Sequence, residues 1–280
     1  MSYRLPSSTP LCPDEHIGYV RKIGENMFDF RYRNDYENRF VCAEYWKCYS
    51  EENSRENGIT FGELGNPIVW GIESPHKEEY FSNSIPCFNG GITKCRPMNG
   101  QINGTAGFLF RENIIDVLKQ LKIIEDDKWH AVIIANACRF QCSLGEKIKP
   151  EIRDNNFLSL FLGKNTEVNW KSFIYRIRMY NPYKLVLACT VGGKMVKERG
   201  KYPKKDVSFI KEWLLQNRPD FYMRIKEISL RGCVEFLLEK VKISFVSMPH
   251  PCCWHDSKYH KKIKRDVYHL RRKRQLPCRH

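Results

Sequence analysis

The chain has no long apolar run. No stretch approaches the roughly 20 consecutive apolar residues that a membrane-spanning helix requires. Its N-terminus, from Met1 to Pro6, has no apolar segment of the kind that forms the centre of a secretion signal. We therefore expect a soluble intracellular protein, cytoplasmic or associated with the nucleoid, and neither a secreted nor a membrane protein.

Cysteine pairs with the CxxC spacing are also missing. The chain has 12 cysteines but no CxxC pair, and the nearest spacings include Cys138/Cys142 and the adjacent Cys252/Cys253. Structural zinc sites usually have CxxC pairs, and disulfides are disfavoured in a chain without a secretion signal. We expect most thiols to be small buried apolar groups. No metal or other cofactor is expected; an iron–sulfur cluster with scattered ligands is the alternative.

Acidic residues are too few to balance the basic ones. The 47 Lys and Arg residues outnumber the 32 Asp and Glu residues, which gives a net charge of +15 at pH 7. The isoelectric point is about 9.3. Such a charge favours a polyanionic partner, most simply nucleic acid, and an acidic membrane surface is the weaker option. The 280 residues are enough for a sizeable buried core.

Short apolar runs alternate with amphipathic stretches along the chain. The pattern predicts strands at 68–70, 131–136, 183–189 and 243–248, and helices at 106–121, 170–180 and 207–240. The run at 131–136 is continuously apolar, which suits a parallel strand buried on both faces. We therefore expect an α/β fold, a three-layer α/β/α sandwich around a mostly parallel central sheet of about four strands.

No internal repeat, low-complexity tract or clear linker divides the chain, so one domain with insertions is expected. A further helix is predicted at 36–49. The predicted parts are an N-terminal helical extension packed on the core at 1–60, an α/β core at 61–257 with insertions at 89–104 and 194–240, and a basic C-terminal helix or tail at 258–280.

Three predicted strands end in polar or reactive side chains. Glu73 follows the first strand, Asn136 ends the second and His250 follows the last. Parallel strands bring their carboxyl ends to one edge of the sheet, which is where ligands bind in open α/β sheets. We expect these three side chains to share one cleft, with Phe88 on the long connection after the first strand.

At these positions the chain resembles the uracil-DNA glycosylase superfamily. Gly71-Ile72-Glu73-Ser74-Pro75-His76 is similar to the Gly-x-acid-Pro turn that carries the water-activating residue. Pro86-Cys87-Phe88 is similar to the segment whose aromatic ring stacks on the extruded base. Ala135-Asn136-Ala137 resembles the strand end whose Asn reads the pairing edge of the base. Met248-Pro249-His250-Pro251-Cys252-Cys253-Trp254 resembles the loop with a catalytic His and a wedge residue.

The resemblance covers roughly 68–255 as short segments in the family's order. It implies a monofunctional DNA glycosylase that removes a flipped base and leaves an abasic site. Glu73 and His250 would be the catalytic residues. A carboxylate suits an oxocarbenium-like sugar cation, and a His can donate a hydrogen bond to the departing base.

The resemblance also implies residues that bind the base and the DNA. Phe88, Asn136 and His76 would contact the base, and Trp254 would fill the gap left in the duplex. The expected partner is therefore DNA, in double-stranded form, bound by a monomer. Contacts with the DNA backbone are expected from Ser74, Gly192, Lys258, Lys261, Arg271 and Arg272.

The chain departs from the family pattern in two motifs. Ser74 stands between the acid and the proline, and His76 stands where uracil-specific relatives have Tyr or Gly. Cys252 replaces the usual Ser of the last loop. A pocket without that Tyr would admit a 5-substituted base, and an Asn amide can present either its donor or its acceptor. We therefore expect excision of a uracil-like or modified pyrimidine.

Other interpretations stay open at this point. A glycosylase for bulky hypermodified, phage-type cytosines would act in antiviral defence. A non-catalytic nucleic-acid-binding protein on the same fold is the alternative from another class, and an RNA-binding or RNA-processing factor is a third option that the charge alone leaves open. From the residues alone, Glu73 could cap a turn and Asn136 could form an Asx turn.

Overall fold

The computed structural model describes a mixed α/β protein built around one central sheet. The residues that it describes are 11–25, 27–32, 40–41, 43–74, 80–86, 92–95, 106–140, 142, 149–163, 169–196 and 204–251. In chain order the strands are β1 (Asp14–Lys22), β2 (Phe28–Tyr32), β3 (Phe40–Val41), β4 (Leu64–Ile72), β5 (Tyr80–Pro86), β6 (Ile92–Cys95), β7 (Trp129–Asn136), β8 (Lys184–Leu187), β9 (Lys194–Val196), β10 (Lys204–Asp206) and β11 (Val246–Ser247). The helices are α1 (Trp46–Glu56), α2 (Ala106–Leu121), α3 (Pro150–Phe161), α4 (Trp170–Tyr180), α5 (Ser208–Asn217), α6 (Pro219–Tyr222) and α7 (Leu230–Lys240).

The central sheet has the strand order β11-β8-β4-β7-β1-β2, with β3 paired to β1. The four strands β11, β8, β4 and β7 run parallel to one another. Strand β1 is antiparallel to β7 and also to β2 and β3. The predicted α/β fold with a mostly parallel sheet is therefore confirmed, and its parallel part contains the four expected strands.

Helices cover both faces of the sheet because successive side chains of a strand point to opposite faces. In β4, Val69 packs into one core, whereas Ile68 and Trp70 pack into the other. The second core also contains Phe110 and Leu118 of α2. Residues of α1, α3, α4, α5 and α7 pack into the first core. This arrangement is the predicted three-layer α/β/α sandwich.

The helices predicted at 106–121 and 170–180 are α2 and α4, with the same limits. Helix α4 begins after Asn169, whose side chain accepts the Lys171 N–H. It ends at Asn181, which has the left-handed conformation that often closes a helix, with a φ of 46°. Amphipathic periodicity and local capping both determine this helix, so the sequence alone was sufficient to find it.

The N-terminal region differs from the predicted helical extension, because β1, β2 and β3 join the central sheet. The helix predicted at 36–49 is α1, which begins only at Trp46. Strand β1 was missed because its first residues are polar. Asp14 is buried and accepts hydrogen bonds from Arg176 and Tyr180, which lie far along the chain. Partners so distant in sequence leave no local pattern.

Three other segments differ from their predicted lengths or types. The strand predicted at 243–248 shortens to β11, and part of the predicted long connection forms β5 and β6, which pair with each other. The basic segment that begins at residue 194 forms β9 and β10. None of the described helices is long and apolar enough to cross a membrane.

The ion pair between Asp14 and Arg176 is expected to be important for stability. Both side chains are almost completely buried, at 2% and 4% exposed. The substitution Asp14→Asn keeps the shape but leaves the Arg176 charge without its counter-charge. We expect it to lower the free energy of unfolding by about 3–5 kcal/mol, measured by urea denaturation.

The matched control is Glu239→Gln. Glu239 pairs with Lys226 at the surface, where the side chains are 43% and 77% exposed. An exposed pair contributes about 0–1 kcal/mol, so this variant should unfold almost as the original chain does. Equal losses in the two variants would contradict the importance of the buried pair.

Candidate active site

The candidate site lies where the order of the parallel strands reverses. From β4 the chain continues to β7 on one side of it, whereas β8 pairs on the other side. In open α/β sheets, ligands bind in the crevice beyond the carboxyl ends of the strands at such a switch point. The topology therefore predicts a ligand site beyond Ile72 of β4 and Leu187 of β8.

Glu73 follows β4 directly and lies at this switch point. Its carboxylate oxygen Oε2 accepts the Thr190 N–H at 2.7 Å, and its main-chain carbonyl accepts the Cys138 N–H at 2.8 Å. Its side chain is 12% exposed. Within the described residues, the second oxygen, Oε1, has no hydrogen-bond partner. The carboxylate is therefore fixed in orientation while one oxygen remains available to a ligand or water.

His250 lies beside the same carboxylate oxygen. Its Nε2 is 3.8 Å from Glu73 Oε2, and its side chain is 19% exposed. The segment before it is held to the sheet, because Met248 N–H donates to the Leu187 carbonyl at 2.9 Å. The structure thus brings Glu73 and His250 side by side, as the strand ends predicted. The catalytic roles of both residues stay predictions.

Asn136 lies at the expected strand end but is enclosed. It is in register with Ile72, one residue before Glu73, and its side chain is completely buried. The amide Nδ2 donates to Cys12 Sγ at 3.3 Å. Its Oδ1 is buried and has no partner among the described residues. Base reading by Asn136 stays a prediction; in this conformation it would require the residues in front of the carboxamide to open.

A second carboxylate, Asp154, lies close to the site and was missed from the sequence. It belongs to α3 and is 1% exposed. Its Oδ2 accepts the Gly193 N–H at 2.7 Å, and its Oδ1 accepts a hydrogen bond from Arg153 Nε at 2.7 Å. Burial raises the pKa of Asp154, and the negative charge of Glu73 raises it further, against the opposing effects of Arg153 and Gly193.

The segment 190–193, which we name the active-site loop, connects these two carboxylates. Glu73 accepts the N–H at its first residue, Thr190, and Asp154 accepts the N–H at its last residue, Gly193. The main-chain carbonyl of Val191 accepts the Leu230 N–H at 2.9 Å. The active-site loop is therefore fixed along its length, which makes the position of the Thr190 donor well defined.

The two glycines of this loop have positive φ angles, +81° at Gly192 and +72° at Gly193, which favour glycine. A Cβ at Gly192 would lie 2.8 Å from Leu230 Cγ, so the position is also too crowded for a side chain. Gly192 is buried, and its N–H donates to Thr190 Oγ1 at 3.5 Å. The predicted DNA contact of Gly192 stays a prediction, whereas the close packing already explains the glycine.

The buried thiols near the site are poor nucleophiles. Burial raises the pKa of Cys189 well above its ordinary value of 9.0, and the charges of Glu73 and Glu235 raise it further. Burial likewise raises the pKa of Cys142, whereas a hydrogen bond with the Ser74 hydroxyl lowers it. Thiols of this kind stay protonated at neutral pH. Glu73 and His250 are therefore better candidates for the chemistry than these cysteines.

Ser74 is the one described member of the first motif beyond Glu73, and its hydroxyl contacts the buried Cys142 thiol. Its predicted DNA contact stays a prediction. Within the described ranges, no group of three or more His, Cys, Asp or Glu side chains is arranged to hold a metal ion. The predicted site residues that lie outside the described ranges are His76, Phe88, Trp254, Lys258, Lys261, Arg271 and Arg272.

Comparison of the chain with protein-family models, curated proteins and solved structures gives no match. The resemblance to the uracil-DNA glycosylase superfamily thus depends on the short sequence segments described above. The geometry at the switch point is independent of that resemblance.

The raised pKa of Asp154 predicts a specific dependence of stability on pH. A carboxyl group whose pKa is higher in the folded state than its ordinary value of 3.8 binds its proton more tightly when folded. The free energy of unfolding therefore falls as the pH rises through that window. The substitution Asp154→Asn removes this titration, so its free energy of unfolding should fall less as the pH rises above about 3.8.

Urea denaturation at a series of pH values measures this difference. The pH dependence should differ between the original chain and Asp154→Asn, whereas the remote variant Glu239→Gln should follow the original chain. Parallel pH profiles for all three proteins would show that burial does not raise the pKa of Asp154.

Proposed function

We propose that this chain is a DNA N-glycosylase that hydrolyses the bond between deoxyribose and a uracil-like or modified pyrimidine base, leaving an abasic site. The observation on which the proposal depends is the pair formed by Glu73 and His250, 3.8 Å apart at the switch point of the sheet. The net charge of +15 supports a DNA substrate.

Glu73 would act on the sugar and the attacking water. Cleavage of an N-glycosidic bond develops positive charge on the sugar, as in glycoside hydrolysis, and a nearby carboxylate stabilises that charge. The Thr190 N–H binds Oε2 and so fixes the carboxylate before the substrate arrives. The other oxygen, Oε1, would then orient the water that attacks the sugar.

His250 would act on the departing base. The base leaves with negative charge on its oxygen, and a fixed hydrogen-bond donor stabilises that charge as it forms. His250 follows β11, the last strand of the parallel part of the sheet, and lies beside the carboxylate. We therefore place the sugar next to Glu73 and the base within reach of His250.

Asn136 would provide the contact that selects the base. Its donor end binds Cys12, and its acceptor Oδ1, which has no partner among the described residues, would face a base once the residues in front of the carboxamide open. A buried acceptor without a partner is costly, and a base edge that offers an N–H would satisfy it. Both the imino group of uracil and the amino group of a cytosine meet this requirement, which agrees with either pyrimidine class as substrate.

The position of Glu73 favours an enzyme over a module that only binds nucleic acid. A carboxylate at the centre of a DNA-binding cleft repels phosphate, so a simple binding surface gains nothing from it. A glycosylase, in contrast, requires negative charge where the sugar cation develops. This is the physical reason for preferring catalysis.

Excision from synthetic duplexes tests this proposal. The duplexes contain a single uracil, hypoxanthine or modified cytosine, and alkali cleaves the strand wherever a base has been removed. We expect Glu73→Gln and His250→Ala each to lower the single-turnover excision rate by about 100-fold or more. Gln at position 73 keeps an oxygen that can accept the Thr190 N–H, and His250 is at the protein surface in part, so neither substitution should greatly change stability.

Glu239→Gln is the control, because it makes the same chemical change at a surface ion pair. Its excision rate should equal that of the original chain. Product formation that is unchanged in Glu73→Gln would eliminate the proposed role of the carboxylate. Tight binding of DNA without product on any base would instead support the non-catalytic alternative.

A further inference from the structure

Strands β9 and β10 form a small ribbon that stands apart from the central sheet. They pair antiparallel with each other, with Lys204 opposite Val196 and Asp206 opposite Lys194. They make up a separate two-stranded sheet. Every residue of both strands is exposed. We name Lys194–Val196 and Lys204–Asp206 the basic ribbon. Burial does not explain it, because it contributes no side chain to either core.

The basic ribbon has a strong positive charge. Lys194, Lys204 and Lys205 occupy half of its positions, and Asp206 is its single acid. The Asp206 carboxylate accepts the Ser208 N–H at 2.9 Å, where α5 begins. From Lys194 to Lys205, six of twelve residues are Lys or Arg and one is Glu.

Both faces of the ribbon contain lysine. Side chains opposite each other on paired strands share a face. Lys194 and Lys204 therefore lie on one face, and Lys205 lies on the other, opposite Met195. A polyanion could thus be bound from either side or along the edge of the ribbon.

The ribbon begins at the active-site loop. Lys194 follows Gly193, whose N–H is bound by Asp154. A Cβ at Gly193 would lie 2.3 Å from the main-chain oxygen of Asp206, so the two strands meet tightly at this point. The same loop supplies the Thr190 N–H that binds Glu73. Glu73 and Asp154 thus bind the two ends of the short segment from which the ribbon begins.

We propose that the basic ribbon binds the phosphate backbone of the DNA next to the nucleotide on which Glu73 and His250 act. That the bound polyanion is substrate DNA rests on the proposed function, whereas the charge and position of the ribbon do not depend on it. Lysine ammonium groups are mobile point charges that suit phosphates. Their connection to the active-site loop would place the bound backbone close to Glu73.

The test uses the full chain with the paired substitution Lys204→Gln and Lys205→Gln. The matched control is Lys47→Gln with Lys240→Gln, which removes two exposed lysines from α1 and α7. Fluorescence anisotropy measures the affinity for a labelled duplex at several salt concentrations. All of these lysines are exposed, so the thermal unfolding temperatures of both variants should match that of the original chain.

We expect the ribbon variant to bind DNA more weakly. Each phosphate contact contributes about 0.9 to the slope of log affinity against log salt. Loss of two contacts should therefore reduce that slope by about 1.8, and the control slope should not change. An unchanged slope in the ribbon variant would overturn the proposal, as would a loss of binding to anionic phosphatidylserine vesicles without any loss of binding to DNA.

Excision measured on the same proteins separates this proposal from the glycosylase proposal. A reduced slope without product from any base would support the ribbon and contradict the enzyme. If the original chain forms product and the ribbon variant has an unchanged slope, the result would support the glycosylase and contradict the ribbon.

Discussion

The hydrogen bond from Thr190 N–H to Glu73 Oε2 connects the two strands at the switch point, and the candidate site depends on it. In the strands that precede these two residues, β4 and β8 pair in parallel, with Gly71 opposite Leu187. At the other end of the active-site loop, Asp154 accepts the Gly193 N–H. Two carboxylates therefore hold one loop from opposite ends. The Glu73 carboxylate at the end of β4 is therefore fixed in position, and the basic ribbon begins at the same loop.

A second buried network supports the strand end at Asn136. Arg176 of α4 binds Asp14 and also donates to the Asn136 main-chain carbonyl at 2.5 Å. Tyr180, one turn further along the helix, donates to Asp14 at 2.8 Å. These contacts join β1, β7 and α4 at the edge of the sheet that contains the site. The N-terminal strand is thus part of the structure that positions Asn136, and an ion pair this well buried is costly to break.

The sequence predicted the features that depend on local pattern. Continuous apolar runs indicated the parallel strands, and amphipathic spacing gave the limits of α2 and α4. The ends of the strands also indicated that Glu73 and His250 would lie near each other, because parallel strands bring their carboxyl ends to one edge of the sheet. In contrast, β1 and Asp154 were missed. Asp14 of β1 and Asp154 are both polar residues that are bound by partners more than thirty residues away, Arg176 and Gly193. The buried state of Asn136 was unpredictable for the same reason, because Cys12 covers its amide from the far end of the chain.

The central claim is that Glu73 and His250 act together on one nucleotide. A double-mutant cycle of single-turnover excision rates, with Glu73→Gln, His250→Gln and both together, tests this most directly. Residues that act as a unit show strongly non-additive losses. The account predicts that the double variant will be little slower than the slower single variant. Losses that multiply would show that the two residues act independently, and single variants with unchanged rates would contradict the account altogether.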